Sequence, residues 1–581
     1  MKFPDISNKL KERNTMKISL SGYDWIDLSE RNIPPSYVVE KFGKVLGQLI
    51  YNRKTLFQEL DEEKILPDLK NLLHPSLFKD IEIVAYSLAQ DIKKGRKIAI
   101  YGDYDADGIT STALLANFFT DIGVKVKYYI PNRFSEGYGL NKNAIKKIAS
   151  VADVMIVVDS GTSSYEELLY AKSLGLKVYI LDHHEPKDRT WKQENIFILN
   201  PKLHEDLNPV FKHLASVGLS FYLMIALRSI LKLDIKLKPY LDIVSIGTIA
   251  DVVPLSLINR ILVKKGLEEI NKKTRVGIKA LLESASLERD ISSFDVGCIL
   301  APRLNASGRI DDAKKAVKLL ITRDYKKASV LSQELEFLNK KRQKLTDLAF
   351  KEAQEMIENQ KNCSAIVVWS HNWHEGVVGI VAGKLAERYR VPSIVLSIKN
   401  GKAVGSARSI AGLNIFDILK ETSHLLNKFG GHSAAAGLTL DTKNLEIFKE
   451  TLQKSVYKKT GGNPVMIKEY DMPVRFSYWN IENIEKLKIL EPFGEKNPFP
   501  KFLAKEVLIE DFMTIGNNQQ HIKFWFREDT NAFPGLWWGA AKYIKKLSVG
   551  TKVDVVYTPK VSKWNNNIGI DFIIDDIIIH S

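Results

Sequence analysis

The chain has 581 residues, too many for one hydrophobic core, so three or four domains are expected. With 45% hydrophobic and 26% charged residues it is neither disordered nor fibrous, and no run of about 18 apolar residues could serve as a transmembrane helix. The net charge of +15 points to a polyanionic partner such as nucleic acid, or else to a merely lysine-rich composition; only a site can decide. Cys298 and Cys363 lie too far apart for a disulfide scaffold or a zinc ribbon. The opening MKFPDISNKLKER has no apolar signal segment, so a cytoplasmic protein without membrane attachment is expected.

In chain order, residues 1–75 read as a polar, helical N-terminal region with no recognisable chemistry. Residues 97–130, KIAIYGDYDADGITSTALLANFFTDIGVKVKYYI, give a short apolar strand, a Gly/Asp turn, an amphipathic helix and a second strand. The pattern recurs at VMIVVDS (154–160) and KVYILDHH (177–184). Near-continuous apolar strands alternating with helices predict an α/β domain over 76–310 with a parallel, doubly covered sheet. Residues 311–360 keep helical periodicity without Gly or Pro and predict a long connector helix. A smaller α/β domain follows over 361–462. From 463 to 581, short aromatic strands such as KFWF and KVDVVYTP predict an all-β barrel or sandwich.

Ligands of parallel sheets collect at the carboxyl ends of strands. The polar residues fall there: Asp103, Asp105 and Asp107 after one strand, Asp159 after the next, and Asp182 with His183 and His184 after a third. Asp251, in LDIVSIGTIADVVPL, is either a further ligand or a helix cap. Aspartate with histidine suits Mn²⁺ or Mg²⁺ rather than a thiolate-bound metal. Two such ions sharing a carboxylate would lower the pKa of a water and neutralise a phosphate, which is the chemistry of phosphoester hydrolysis.

GDYDADG (102–108), VDSG (158–161), DHH (182–184) and GTIADVVPL (247–255) resemble the motifs of the DHH phosphoesterase superfamily. GSARS (405–409) and FGGHSAAAG (429–437) resemble its DHHA1 domain. With PNRFSEGYGL (131–140), APRLNASGR (301–309) and WHEGVVGIVAGKLAERY (373–389), the chain resembles the RecJ family of bacterial single-strand-specific 5′→3′ exonucleases, over roughly residues 75–460. The resemblance implies an oligonucleotide-binding (OB) barrel at the C-terminus. It implies metal ligation by Asp105, Asp107, Asp159 (bridging), His183 and Asp251, with His184 catalytic beside Asp159 and Asp105. Asp103 either ligates or shapes the loop. Tyr101 stands where many DHH phosphoesterases have a ligating histidine, so Asp103 or water would take that place. It also implies hydrolysis of single-stranded DNA to 5′ mononucleotides in repair and recombination; a monomer is expected, with a single-strand-binding protein and a helicase as partners that no sequence feature marks. The alternative is a DHH phosphodiesterase of short oligonucleotides or cyclic dinucleotides, which lacks the N-terminal extension and the barrel.

Arg133, Arg303, Arg309 and Arg408, in Gly- and Ala-rich stretches read as loops, suit bidentate phosphate contacts, with a structural ion pair as the alternative. Ser406 is a further candidate for DNA or phosphate, as are Gly431 and His432, the last two against a tight helix-entry turn; Asn305 is a nucleotide contact or a turn residue. Trp525, Trp537, Trp538, Tyr557 and Trp564, interleaved with Lys523, Lys542, Lys552, Lys560 and Lys563, suit base stacking, with about a third expected to face solvent.

Overall fold

The computed structural model describes residues 19–57, 60, 65–358, 363–461, 466–564 and 567–580. They form two compact units, one from residues up to 65 with 463–491 and 498–581, the other from 66–462 with 492–497.

The segment before residue 66 opens with strand β1 (Tyr23–Asp27), followed by helices Ser36–Phe42 and Lys44–Asn52. This differs from the wholly helical region the polar sequence suggests. Strand β1 forms because Trp25 packs with Tyr470, Leu503, Val556 and Ile578, a core supplied more than 400 residues later.

The larger unit begins with helix Lys79–Lys93 and a five-stranded sheet: β2 (Ile98–Gly102), β3 (Val126–Tyr129), β4 (Val154–Val158), β5 (Lys177–Leu181) and β6 (Ile196–Leu199). The order is β3-β2-β4-β5-β6 and every pairing is parallel. β2 and β4 are buried at every residue, which is why they read as unbroken apolar runs. Helices Ala106–Asp121, Ser216–Ile230 and Leu241–Ala250 pack with one face of the sheet in a single large core. Gly247 lets two of these helices touch: a Cβ there would lie 2.2 Å from Thr110 Oγ1.

The predicted connector divides into helix Lys314–Ile321 and a 34-residue helix, Tyr325–Glu358. Beyond it lies a second sheet of β7 (Ile366–Ser370), β8 (Ser393–Lys399), β9 (Lys402–Arg408), β10 (Lys428–Gly431) and β11 (Ala435–Asp441), in the order β10-β11-β9-β8-β7. Helix Glu375–Tyr389 packs on this sheet and on the long helix.

In the smaller unit, β12 (Met466–Tyr470) pairs in parallel with β1, and β13 (Met472–Pro473) leads into the barrel. Its strands are β14 (Phe502–Ile515), β15 (His521–Glu528), β16 (Asn531–Trp537), β17 (Lys552–Trp564) and β18 (Asn567–Ile579). The sheet closes because β14 pairs with both β15 and β17. The protein is therefore a multi-domain α/β chain ending in an OB-like barrel. No helix among the described residues is long and apolar enough to cross a membrane.

Candidate active site

The three carboxylate- and histidine-bearing loops leave β2, β4 and β5 side by side, because those strands are adjacent and parallel. Asp105 caps helix Ala106–Asp121, its Oδ1 accepting from Gly108 N at 3.2 Å. Asp107, in the first turn, accepts from the backbone N–H groups of Ser216 (2.7 Å) and Val217 (2.9 Å) at the start of helix Ser216–Ile230. Asp159 has φ +62°, a left-handed conformation costing about 1–3 kcal/mol for a residue with a side chain. Asp251 ends helix Leu241–Ala250 and so is a C-cap by position as well as a member of the cluster.

His183 Nε2 lies 3.8 Å from Asp107 Oδ2, 3.4 Å from Asp159 Oδ1 and 3.4 Å from Asp251 Oδ2. Three overlapping groups have ligand atoms close enough to share an ion: Asp103, Asp105 and Asp159; Asp107, His183 and Asp251; Asp159, His183 and His184. Burial, and then its neighbour His184, pushes His183 down to about 3, so the imidazole is neutral. Burial, then Asp105, raises Asp107 to about 7; burial, then Asp107, raises Asp251 to about 9. Burial and the neighbouring Asp105 likewise lift Asp103 and Asp159 well above the usual carboxylate range. Asp103 Oδ1, His183 Nε2 and Asp251 Oδ2 are buried and make no hydrogen bond. Buried, mutually repelling oxygens around an unpaired imidazole nitrogen are the donor set of a hard divalent cation, so these residues fit the metal the sequence implies.

Asp182 is not a member of these groups. Its Oδ1 accepts from His184 Nδ1 at 2.7 Å and from His183 N at 2.8 Å, while Oδ2 accepts from Thr162 N at 3.0 Å. Burial opposes ionisation of Asp182, but the hydrogen bond and charge of His184 outweigh it and hold the carboxyl well below its ordinary range. Burial opposes a charge on His184 too, yet the bond to Asp182 raises it to about 9. Its Nε2 faces Tyr138 OH at 3.3 Å, and Asn200 Nδ2 donates to the His184 carbonyl at 2.8 Å. Tyr138 and Asn200 escape sequence reasoning, whereas Asp182 is legible there only as a polar residue at a strand end, without its orienting role. Tyr101 is fully buried and its hydroxyl donates to Gly139 O at 2.8 Å, so it supplies nothing to the cluster.

Among the arginines, Arg133 lies in a loop with its guanidinium 5.2 Å from the Tyr104 ring. Arg309 sits in helix Ala301–Ile310, and Arg408 ends β9 with Nη1 donating to Ser406 Oγ at 2.6 Å. Burial, then the charges of Arg133, Arg408 and Arg342, lowers Arg309 to about 10. Arg342, on the long helix, joins this cationic group although the sequence did not single it out. No carboxylate pairs with Arg133, Arg309 or Arg408 among the described residues, so the group is open to an anion.

Arg303, Asn305 and GGHSAAAG sit differently from the loops and turns read in the sequence. Arg303 sits in a helix rather than a loop and is committed to structure: Nε is 2.7 Å from Glu336 Oε2 and Nη1 donates to Ile299 O at 2.7 Å. Asn305 reaches back across 199 residues, its Oδ1 accepting from Ala106 N at 2.9 Å, and so braces the turn between Asp105 and Asp107. Gly308 allows that approach, since a Cβ would lie 2.2 Å from Tyr104 O. GGHSAAAG forms a β-hairpin rather than a helix entry: β10 and β11 meet around exposed His432, and Gly431 has φ +148° with no room for a Cβ beside Ala435. In the barrel, Tyr557 and Trp537 are core, Trp525 is half-buried beneath Lys523, and Trp538 is 56% exposed. The Trp564 and Lys563 side chains lie outside the described residues.

Family models described as "DHH family, N-terminal domain", "DHHA1 domain" and "RecJ OB domain" match residues 97–248, 361–458 and 470–576. The single-stranded-DNA-specific exonuclease RecJ of Salmonella typhimurium is 32% identical over 88% of this chain and 92% of its own length. The chain belongs to the RecJ family. The Bacillus subtilis member is 37% identical over 87% of this chain, which spans 64% of that protein's length. The crystal structure of Thermus thermophilus RecJ with Mn²⁺ superposes with a TM-score of 0.81 at 28% identity, covering 94% of this chain and 78% of that one. A Mg²⁺ complex of the same enzyme also matches, with a TM-score of 0.76 at 27% identity, covering 95% of this chain and 78% of that one.

Proposed function

We propose that this chain is a metal-dependent 5′→3′ exonuclease that hydrolyses single-stranded DNA to 5′ mononucleotides. The observation that carries the reading is a buried carboxylate–histidine cluster with unpaired ligand atoms, beside Arg133, Arg309 and Arg408, which have no carboxylate partner among the described residues. Asp105, Asp107, Asp159, His183 and Asp251, with Asp103, would hold two Mn²⁺ or Mg²⁺ ions, the ions found with the Thermus relative. Bound there, divalent ions supply positive charge for a phosphodiester and a water of lowered pKa.

The residues of the chain do the rest. Asp182 fixes the His184 ring, leaving Nε2–H free to donate to a phosphate oxygen once Tyr138 gives way. A His184 held at about 9 remains a cation at neutral pH, so it favours the charge that grows on the attacked phosphate. Arg133, Arg309 and Arg408, with Ser406, hold the terminal 5′ phosphate, and His432 and Gly431 border the strand. Water adds to phosphorus and the P–O3′ bond breaks, leaving a 3′ hydroxyl on the released mononucleotide and a new 5′ phosphate on the remaining strand. The boundaries 76–310, 311–360, 361–462 and 463–581 serve as catalytic domain, connector, DHHA1 domain and nucleic-acid barrel. The enzyme acts in the cytoplasm as a monomer, on strands freed by a helicase and presented with single-strand-binding protein.

The test is release of label from 5′- and 3′-labelled single strands with Mn²⁺, beside a duplex and a dinucleotide. Immediate mononucleotide release from the 5′-labelled strand alone supports the reading. Cleavage of the dinucleotide but not the long strand would move the chain to the short-oligonucleotide phosphodiesterases.

A further inference from the structure

The arginine group lies against a seam where the DHH and DHHA1 domains touch. Arg309 Nη1 donates to Gly376 O at 3.3 Å, and a Cβ on Gly376 would lie only 1.9 Å from the Arg309 carbonyl oxygen. Phe134, the residue after Arg133, meets His374 across the same seam, ring centroids 5.3 Å apart and planes at 85°.

Both rings are braced from behind. The Phe134 loop is an Asx turn: Asn132 Oδ1 accepts from Phe134 N at 3.0 Å and from Ser135 N at 3.2 Å. Glu136 locks that turn, accepting from Asn132 N at 2.8 Å and from Tyr129 OH at 2.6 Å. His374 is the N-cap of helix Glu375–Tyr389, its Nδ1 accepting from Gly376 N at 3.0 Å. The preceding Trp373 is tied on both sides, its indole donating to Glu352 at 2.7 Å and its carbonyl accepting from Ser397 Oγ at 2.6 Å. Two aromatic rings on independently rigid supports, one of them 41% exposed, make a fixed obstacle rather than a packed core.

We propose that Phe134 and His374 form an end wall behind the arginine group, admitting a terminal phosphate monoester and rejecting a phosphate that carries a further ester substituent. The wall would make the site one for free 5′ ends and would set the product length at one nucleotide. This rests on the exonuclease reading above. Phe134 and His374 are specificity-determining; neither is assigned to the metal cluster or to phosphate contact.

The experiment compares three single strands with Mn²⁺: one with a 5′ phosphate, the same strand with its 5′ phosphate esterified to a bulky label, and a closed circle. It is run on the unsubstituted chain, Phe134→Ala and His374→Asn, the last keeping a capping side chain. A Mn²⁺-induced rise in melting temperature equal to that of the unsubstituted chain certifies each variant as folded. The expected result is that the unsubstituted chain favours the free 5′ phosphate, and that either variant lowers this preference roughly tenfold or more, with di- and trinucleotides among the products. An unchanged preference and product length in both variants would overturn the wall, as would equal use of all three strands by the unsubstituted chain. Failure of the unsubstituted chain to degrade any strand would instead remove the exonuclease reading, and the wall with it.

Discussion

Replacing Asn305 with alanine separates the two roles open to that residue, DNA contact or brace. Its carboxamide oxygen accepts from Ala106 N, and Ala106 is only 2% exposed. Losing the acceptor strands a buried N–H, which costs about 1–3 kcal/mol. That N–H lies between Asp105 and Asp107, so slack in the turn displaces two carboxylates of the candidate metal site at once. Removing a support of this kind typically lowers metal affinity about 10–100-fold. That corresponds to about 1.4–2.7 kcal/mol. Titration calorimetry with Mn²⁺ on Asn305→Ala should therefore show the loss in the metal isotherm, together with a lower melting temperature. Affinity for single-stranded DNA measured without metal should stay within about twofold, well inside a single hydrogen bond's worth. Unchanged Mn²⁺ affinity with a large fall in metal-free DNA affinity would refute the reasoning and return Asn305 to the role of a nucleotide contact.

Three other outcomes follow from the same geometry. Arg408→Ala should raise KM for 5′-phosphorylated strands with little change in stability, whereas Arg303→Ala, which removes the partner of Glu336, should lower the melting temperature and leave KM nearly unaltered. Because Asp107 is raised to about 7 and Asp251 to about 9, the metal-free protein holds protons that its unfolded chain releases near pH 4. Their contribution to stability is thus present at low pH and lost as pH rises through about 7 to 9, while cation binding expels the protons and tightens over the same range; melting curves and proton-release calorimetry with and without Mn²⁺ at pH 6 and pH 9 check both signs. Trp538→Ala should weaken single-strand binding by about 1–3 kcal/mol if its exposed ring stacks on a base, whereas Trp537→Ala, emptying a site 5% exposed, should act on stability.

The sheet that carries the cluster was legible because β2, β4 and β5 are buried on both faces and leave unbroken apolar runs, and because acidic residues follow each of them directly. Parallel pairing then brings those strand ends together, so Asp105, Asp159 and His183 could be grouped from the chain alone. Asn305 was not legible, since a side chain bonding a backbone N–H 199 residues away leaves no local pattern. Arg303 and Arg309 are six residues apart in one motif, yet one meets Glu336 and the other does not; which face of a helix meets a carboxylate depends on tertiary packing. Asp182 looks like a ligand by position and becomes an orienting group only because the chain turns its carboxylate back onto His184 and Thr162. Strand β1 needed Tyr470, Leu503 and Val556 to bury Trp25, and the polar residues around it concealed that partner. Alternation in the barrel marked the strands but not which face was inside, so Tyr557 and Trp538 read alike in sequence although one is core and the other exposed.

The most direct test of the account is mononucleotide release from a 5′-phosphorylated single strand by Asp159→Asn, measured beside the unsubstituted chain at saturating Mn²⁺. Asp159 Oδ1 stands 3.4 Å from His183 Nε2, and Asp159 belongs to two of the three ligand groups. Neutralising it should lower the rate by about a thousandfold or more while the far-ultraviolet circular dichroism spectrum stays that of the folded chain. Release within about tenfold of the unsubstituted rate would contradict the claim that this cluster performs the hydrolysis.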